Sequence, residues 1–414
     1  MTKNEINLYN DYRRKCDICT GCGRCTFAAE DVNVMMDMRL RKEAVELHYP
    51  EGEYLVTVDI GTTTIAMQLH GRNGKVEDSY ARLNPQVKYG ADVLSRIQAA
   101  SEDDTAAEDM KTLVRGSLSE GLARFRRLLP RESRLCMVVA ANTTMVYLLM
   151  GWDVQELGHA PFHVSYPGPI RLELDGVPAY IFPSLSAFVG GDITAGILAC
   201  GMTERQEVTL LIDLGTNGEM VLGNCEKLIA CSTAAGPAFE GGVNQGVWGA
   251  DMVSILAKLR SADVVDETGL LQDSYFDRGV RIEGVHVTQQ AIRALQMAKG
   301  AVMAGVRILA DQYGISFEEI QQVILAGGFG YYLNPRDAAA IGLIPLSLAD
   351  KTVTGGNTAL TGAFYFGTEQ FPSEAHKKPF WEKPDLQIEI LNLAEVPKFD
   401  EWYLSSMDVR ELCE

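Results

Sequence analysis

The chain has 414 residues, 47% of them hydrophobic, which is enough for two or three domains with large cores and is ordinary for a folded globular protein. Its formal net charge of −18 runs against a nucleic-acid backbone as partner, and no apolar run approaches the roughly 18 residues of a membrane span. The charged, cysteine-bearing first residues do not follow the pattern of a secretory signal, so a cytoplasmic protein with neither nucleic-acid nor membrane partners is expected.

Residues 1–50 are expected to form a small cluster-binding head. Four of the nine cysteines, Cys16, Cys19, Cys22 and Cys25, fall within ten residues, and in a cytoplasmic protein such a cluster points to a metal rather than to disulfides. The first three have the spacing with which bacterial ferredoxins wrap a four-iron, four-sulfur (4Fe–4S) cluster, and Gly21 and Gly23 free backbone N–H groups toward sulfur. In those ferredoxins the next cysteine follows three residues later, precedes proline and ligates another cluster. Here it follows two residues later and precedes Thr26, so Cys25 is read as the fourth ligand of the same cluster, with Cys413 in reserve. Zinc is the rival occupant, but zinc sites usually separate two cysteine pairs by a loop that this stretch lacks.

The main body begins with three strand-like runs, Tyr54–Ile60, Thr63–His70 and Lys75–Leu83, followed by helices near Ala91–Ala99 and Glu108–Leu129. A strand at Leu135–Ala141, a helix from Thr143 and a strand around Ala179–Phe182 come next. The pattern restarts with strands at Thr209–Asp213, Glu219–Leu222 and Lys227–Cys231. A long helix then runs from an N-cap at Thr288 to about Leu309, with Ile292, Leu295, Val302, Val306 and Leu309 toward a core. A strand at Gln322–Ala326, a helix over Asn357–Phe366 and a Pro- and charge-rich tail complete the chain. Three strands in series, then helices alternating with strands, is the ribonuclease-H-like α/β plan, and it occurs twice. The expected domains are therefore 1–50, 51–208, 209–370 and a tail, 371–414, packed on the body.

Each repeat opens with an Asp-x-Gly turn between two strands. The first reads Asp59-Ile-Gly61-Thr62-Thr63-Thr64 and the second Asp213-Leu-Gly215-Thr216-Asn217-Gly218. Glycine lets the backbone turn tightly, so amide N–H groups and hydroxyls can face a phosphate, while a strand-end aspartate can hold Mg²⁺ through water. Two copies suggest a duplicated domain that grips one nucleotide from both sides. Gly190-Gly191-Asp192 opens a run of small residues in which Asp192 can orient a hydrolytic water, although close helix packing alone would account for the glycines. Glu240, after Gly236-Pro237, is the reserve for that role, and a helix-start charge is the commoner use of either residue. Gly327-Gly328-Phe329-Gly330 follows a strand and can press backbone against adenosine.

This set resembles the superfamily of acetate and sugar kinases, heat-shock chaperones and actin. Over nearly all of residues 53–410 it is more closely similar to the reductive activators of corrinoid proteins. The stretches that carry this resemblance are Asn84–Arg96, Asn142–Met145, Leu157–Phe162, Ser232–Gly242 and Gly356–Ala363. The resemblance implies two actin-like ATPase halves behind an iron–sulfur head. It further implies ATP-driven transfer of a low-potential electron from the cluster to the Co(II) of a corrinoid methyl-carrier protein, regenerating Co(I) for a methyltransferase system of anaerobes. An upstream donor such as a ferredoxin would supply the electron, and a homodimer is left open. Many relatives carry a plant-type two-iron ferredoxin domain where this chain has only the short cysteine stretch, so the cluster type is the point of departure. The rival readings are an activator of a radical dehydratase or aryl-CoA reductase, a small-metabolite kinase, and a non-catalytic nucleotide switch with zinc in the head.

Overall fold

Residues 53–83 form three consecutive strands, β1 (Glu53–Ile60), β2 (Thr64–His70) and β3 (Val76–Leu83), in a computed structural model that describes residues 53–71, 73–215, 217–240, 249–370 and 379–412. Helices α1 (Val93–Glu102) and α2 (Asp104–Arg126) follow, each started by an aspartate whose carboxylate accepts a backbone N–H: Asp92 from Ser95 and Asp103 from Thr105. Then come β4 (Arg134–Ala141), α3 (Thr143–Met150), the hairpin β5 (Ile170–Leu174) and β6 (Val177–Ile181), and α4 (Gly191–Ala199). Strands β7 (Thr209–Leu214), β8 (Gly218–Gly223) and β9 (Lys227–Thr233) precede α5 (Gly249–Ser261) and a short hairpin, β10 (Val280–Ile282) and β11 (Val285–Val287). The remainder is α6 (Gln289–Tyr313), β12 (Gln322–Ala326), α7 (Gly327–Tyr332), α8 (Pro335–Ala340), β13 (Thr352–Gly356), α9 (Thr358–Gln370), β14 (Gln387–Leu391) and α10 (Phe399–Ser405).

Two compact units result. One comprises the described parts of Glu30–Arg205 with Gly356–Ile390; the other comprises Gln206–Gly355 with the described part of Leu391–Glu414. The chain therefore returns to the first unit at Gly356, whereas the sequence pattern suggests contiguous halves.

The first unit has a six-stranded sheet in the order β3-β2-β1-β4-β6-β5. β1 is antiparallel to β2 and parallel to β4. Because strand side chains alternate between faces, Val56, Val58 and Ile60 pack with α1 and α2, while Leu55 faces the opposite layer. β4 divides likewise, with Met137, Val139 and Ala141 on the first face and Val138 and Ala140 on the second, against Ala195, Ala363 and Phe364. Both faces are thus covered by helices, which is why these strands read as almost unbroken apolar runs.

The second unit repeats the plan in the sheet β13-β12-β7-β8-β9-β14. β7 is antiparallel to β8 and parallel to β12, as β1 is to β2 and β4. In α6 all five residues expected to face a core are buried, and the Thr288 hydroxyl caps the helix by accepting the Ala291 N–H at 3.2 Å. The duplication read from the strand pattern is therefore a duplication of topology.

Candidate nucleotide site

In the first unit, β1 and β2 are joined by Gly61-Thr62-Thr63, and every carbonyl from Gly61 to Thr64 accepts a hydrogen bond from within the unit. Gly61 N–H donates to Thr64 O at 2.9 Å, and Asn84 N–H donates to Thr63 O at 2.8 Å. The Asn84 side-chain amide donates to Gly61 O at 2.9 Å, and Arg96 Nη2 donates to Thr62 O at 2.7 Å. Asn142 Nδ2 further donates to Thr62 Oγ1 at 3.0 Å, while its Oδ1 accepts Met145 N–H as the N-cap of α3. A Cβ on Gly61 would lie 3.0 Å from Thr64 O, so the turn has little room for another residue. The carbonyls of the loop are thus tied inward, toward Asn84 and Arg96.

Asp59 is the penultimate residue of β1, and its Oδ2 accepts Asn357 Nδ2 at 2.8 Å. Asn357 Oδ1 in turn accepts Leu360 N–H in the first turn of α9. The chain's return at Gly356 therefore orients a carboxylate nearly 300 residues earlier. Gly190 and Gly191 sit where backbone is pressed closest: a Cβ would meet Asn142 Cα at 2.4 Å on the first and Phe182 O at 2.8 Å on the second. This packing lets the start of α4 lie against the same Asn142 that holds Thr62. Asp192, in that first turn, keeps some exposure as a residue while its carboxyl is enclosed, with Ile193 N–H donating to its Oδ1 at 2.9 Å. Burial pushes its carboxyl up to about 6, against the pull of the Ile193 and Asp192 backbone N–H groups.

In the second unit the corresponding turn is closed by Gly215 N–H donating to Asn217 O at 2.9 Å. The parallel register sets Ala326 beside Asp213, which brings the next residue, Gly327, against the aspartate. Gly327 has φ +78, and a Cβ there would lie 2.7 Å from Asp213 Oδ1 and 2.8 Å from Leu214 O. Only glycine suits both the conformation and the space. The Phe329 ring is buried and packs against Phe239, tilted with centroids 4.4 Å apart, so its side chain belongs to the core. Gly218 begins β8 and Gly328 lies in α7. Glu240 ends the short helix Pro237–Glu240. Thr216, Cys16, Cys19, Cys22, Cys25 and Cys413 lie outside the described residues.

Asn84, Gln86, Arg96, Asn142 and Asn357 have no role in a reading from spacing alone. Asn142 and Asn357 carry a detectable signal, an asparagine just before an apolar helical run. Arg96 carries none, because a single arginine on a polar-looking helix reads as a solvated charge.

Residues 54–205 match the family description "RACo middle region", and residues 207–247 and 243–412 match "C-terminal domain of RACo the ASKHA domain". The chain belongs to the RACo family. ASKHA denotes the actin-like ATPase superfamily, so the mixed α/β fold with an actin-like ATPase domain expected from the repeated turns is present. A curated relative from Eubacterium limosum, the corrinoid activation enzyme RamQ, is 28% identical over 378 residues, covering 75% of this chain and 63% of its own length. A Methanosarcina barkeri protein, a Co(II) methylated amine-specific corrinoid protein reductase, is 25% identical over 382 residues, covering 74% of this chain and 68% of its own. Among solved structures, a reductive activator for a corrinoid, iron–sulfur protein superposes with a TM-score of 0.75 at 28% identity. The match covers 87% of this chain and 67% of that one. This RACo-family chain thus spans just under two thirds of the RamQ sequence it matches. Among the described residues no helix is long and apolar enough to cross a membrane.

Proposed function

We propose that this protein is an ATP-dependent reductive activator of a corrinoid protein, delivering a low-potential electron to Co(II) and returning it to Co(I) for methyl transfer. The observation that carries the reading is the doubled Asp-x-Gly turn, with its carbonyls tied inward in the first unit, in a chain whose relatives act on corrinoid proteins. Both curated relatives are named for corrinoid proteins, which does not favour the dehydratase or aryl-CoA reductase alternative.

The residues suit MgATP. Asp59 and Asp213 are carboxylates at strand ends, each beside a tight glycine turn, a donor set that holds a hydrated Mg²⁺. Gly61, Thr62, Thr63 and Thr64, with Gly215, Thr216, Asn217 and Gly218, would receive the phosphate chain. Gly327 and Gly328 would offer backbone to adenosine. Asp192, raised toward neutral pH, is the group that would orient and accept a proton from the attacking water, with Glu240 in reserve. Nucleotide can bias only states to which it binds differently, so ATP and ADP must favour different arrangements of the protein. The four thiolates of Cys16, Cys19, Cys22 and Cys25 suit a 4Fe–4S cluster, which would supply the one-electron chemistry. A cytoplasmic location, an upstream donor such as a ferredoxin, and activity as a monomer or homodimer belong to the same reading.

The test is direct. Anaerobic protein, MgATP, a reductant and a Co(II) corrinoid protein should together produce the Co(I) absorption spectrum. Omitting ATP, or deleting residues 16–25, should abolish it. Reduction that continues without the cysteine stretch would show another electron route and overturn the mechanism.

A further inference from the structure

Arg96 is a fully buried guanidinium that the ATPase reading leaves without a task. It lies in α1, 34 residues from the loop it touches, and its contacts converge on that loop and its support. Nη2 donates to Thr62 O at 2.7 Å, Nε to Gly90 O at 3.0 Å and Nη1 to Gln86 Oε1 at 3.3 Å. Gln86 is itself buried, and its amide is anchored on Met110 O at 3.0 Å. Asn84, also fully buried, donates to the neighbouring carbonyl of Gly61 and accepts Gln86 N–H at 3.0 Å on its Oδ1. Gly90 allows the close approach, since a Cβ there would lie 2.4 Å from Ser95 Cβ. A single segment, Asn84 to Arg96, therefore delivers two buried donors to two successive loop carbonyls.

The consequence follows from peptide geometry. In a trans peptide the carbonyl and the following N–H point in opposite directions, and the described cis bonds are elsewhere, at Ala160-Pro161 and Gly168-Pro169. Holding Gly61 O toward Asn84 aims Thr62 N–H away from it. Holding Thr62 O toward Arg96 likewise aims Thr63 N–H away from the buried side. Two consecutive amides turned away from those donors form the kind of concavity that accepts a phosphate oxygen. Burying a guanidinium is costly, and apolar packing would serve stability as well or better, so this charge calls for a reason beyond the fold.

We propose that Arg96 and Asn84 are positioning residues that set the direction of the Thr62 and Thr63 amides and thereby the affinity for nucleotide phosphate. The inference rests on the nucleotide reading above. Arg96→Lys keeps the charge but replaces the planar fork by a point donor, and Asn84→Ala removes a donor without changing charge. Because the loop holds phosphate in ground and transition states alike, both variants should raise KM for MgATP on the order of 10- to 100-fold with kcat within about threefold of wild type. Titration of MgATP into the full-length variants should weaken by the same factor. Loss of fold in part of the sample would instead lower kcat at unchanged KM, and that result in both variants would overturn the proposal. So would unchanged MgATP affinity in either folded variant alongside a wild type that binds. A wild type that does not bind MgATP would overturn the nucleotide reading and this inference with it.

Discussion

At neutral pH Asp192 is ionised in surroundings that favour its acid form, because burial moves its carboxyl from 3.8 to about 6. Between those values the native state binds more protons than the unfolded chain, so this group's contribution to stability is full below about 4 and is lost as pH rises through 6. The neutral isostere in Asp192→Asn escapes that cost and should be more stable than wild type at pH 8, by up to about 3 kcal/mol for a shift of this size. It should also lose ATP hydrolysis, since it cannot accept a proton, and the wild-type rate should fall as pH drops below about 6. Melting curves at pH 4 and 8 with a steady-state ATPase assay check this. A variant no more stable at pH 8 than wild type, or with full activity, would remove Asp192 from the role. In the second unit Asp213→Ala should leave the fold intact and lower hydrolysis at least about 100-fold if the carboxylate holds Mg²⁺. Unchanged hydrolysis would sink that assignment.

Among elements, α4 and α9 meet where a Cβ on Gly362 would lie 1.9 Å from Ala195 O. Gly362→Ala must push the two helices apart and should cost about 3 kcal/mol, read as a lower melting temperature. The same movement would shift Asn357 at the start of α9 and loosen its hold on Asp59. Helix α6 carries a second titratable device. Lys299 is fully buried, donates to Ser406 O at 2.5 Å, and is pushed down to about 7 by burial and by Arg307 and Arg410, with Asp408 opposing. Here the unfolded chain binds more protons between about 7 and 10.5, so stability rises with pH across that window, by roughly 5 kcal/mol for the full shift. Lys299→Met should flatten the rise, and urea midpoints at pH 7 and 10 measure it. An equally steep variant would mean that another group titrates.

For the whole molecule, the cysteine stretch decides between electron carrier and nucleotide switch. Protein purified without oxygen should be brown and hold about four irons per chain, by the ligand count of one cluster. Cys25→Ser should lose or destabilise the cluster. Colourless protein with one tight zinc after reconstitution with iron and sulfide would favour the switch.

Period and punctuation in the sequence were enough for the two repeated strand triplets, the long helix capped by Thr288, and the Asp-x-Gly turns, because side-chain alternation and glycine turns are local physics. Less legible were the elements with weak local signals. β5, with Ile170 and Leu172 only partly buried, and β13, which ends in two glycines, are sheet-edge strands whose pairing comes from the sheet rather than from their own composition. Site support was the least legible. Arg96 on Thr62, Asn142 on Thr62 and Asn357 on Asp59 join positions 34, 80 and 298 residues apart. A side chain's propensity says nothing about which distant carbonyl or carboxylate the fold will bring to it. Sequence by itself therefore determined the repeated strand triplets, the long helix and the two Asp-x-Gly turns between strands. Only the tertiary structure decided how those turns are held, because a buried hydrogen bond exists only once packing has excluded the water that would otherwise replace it.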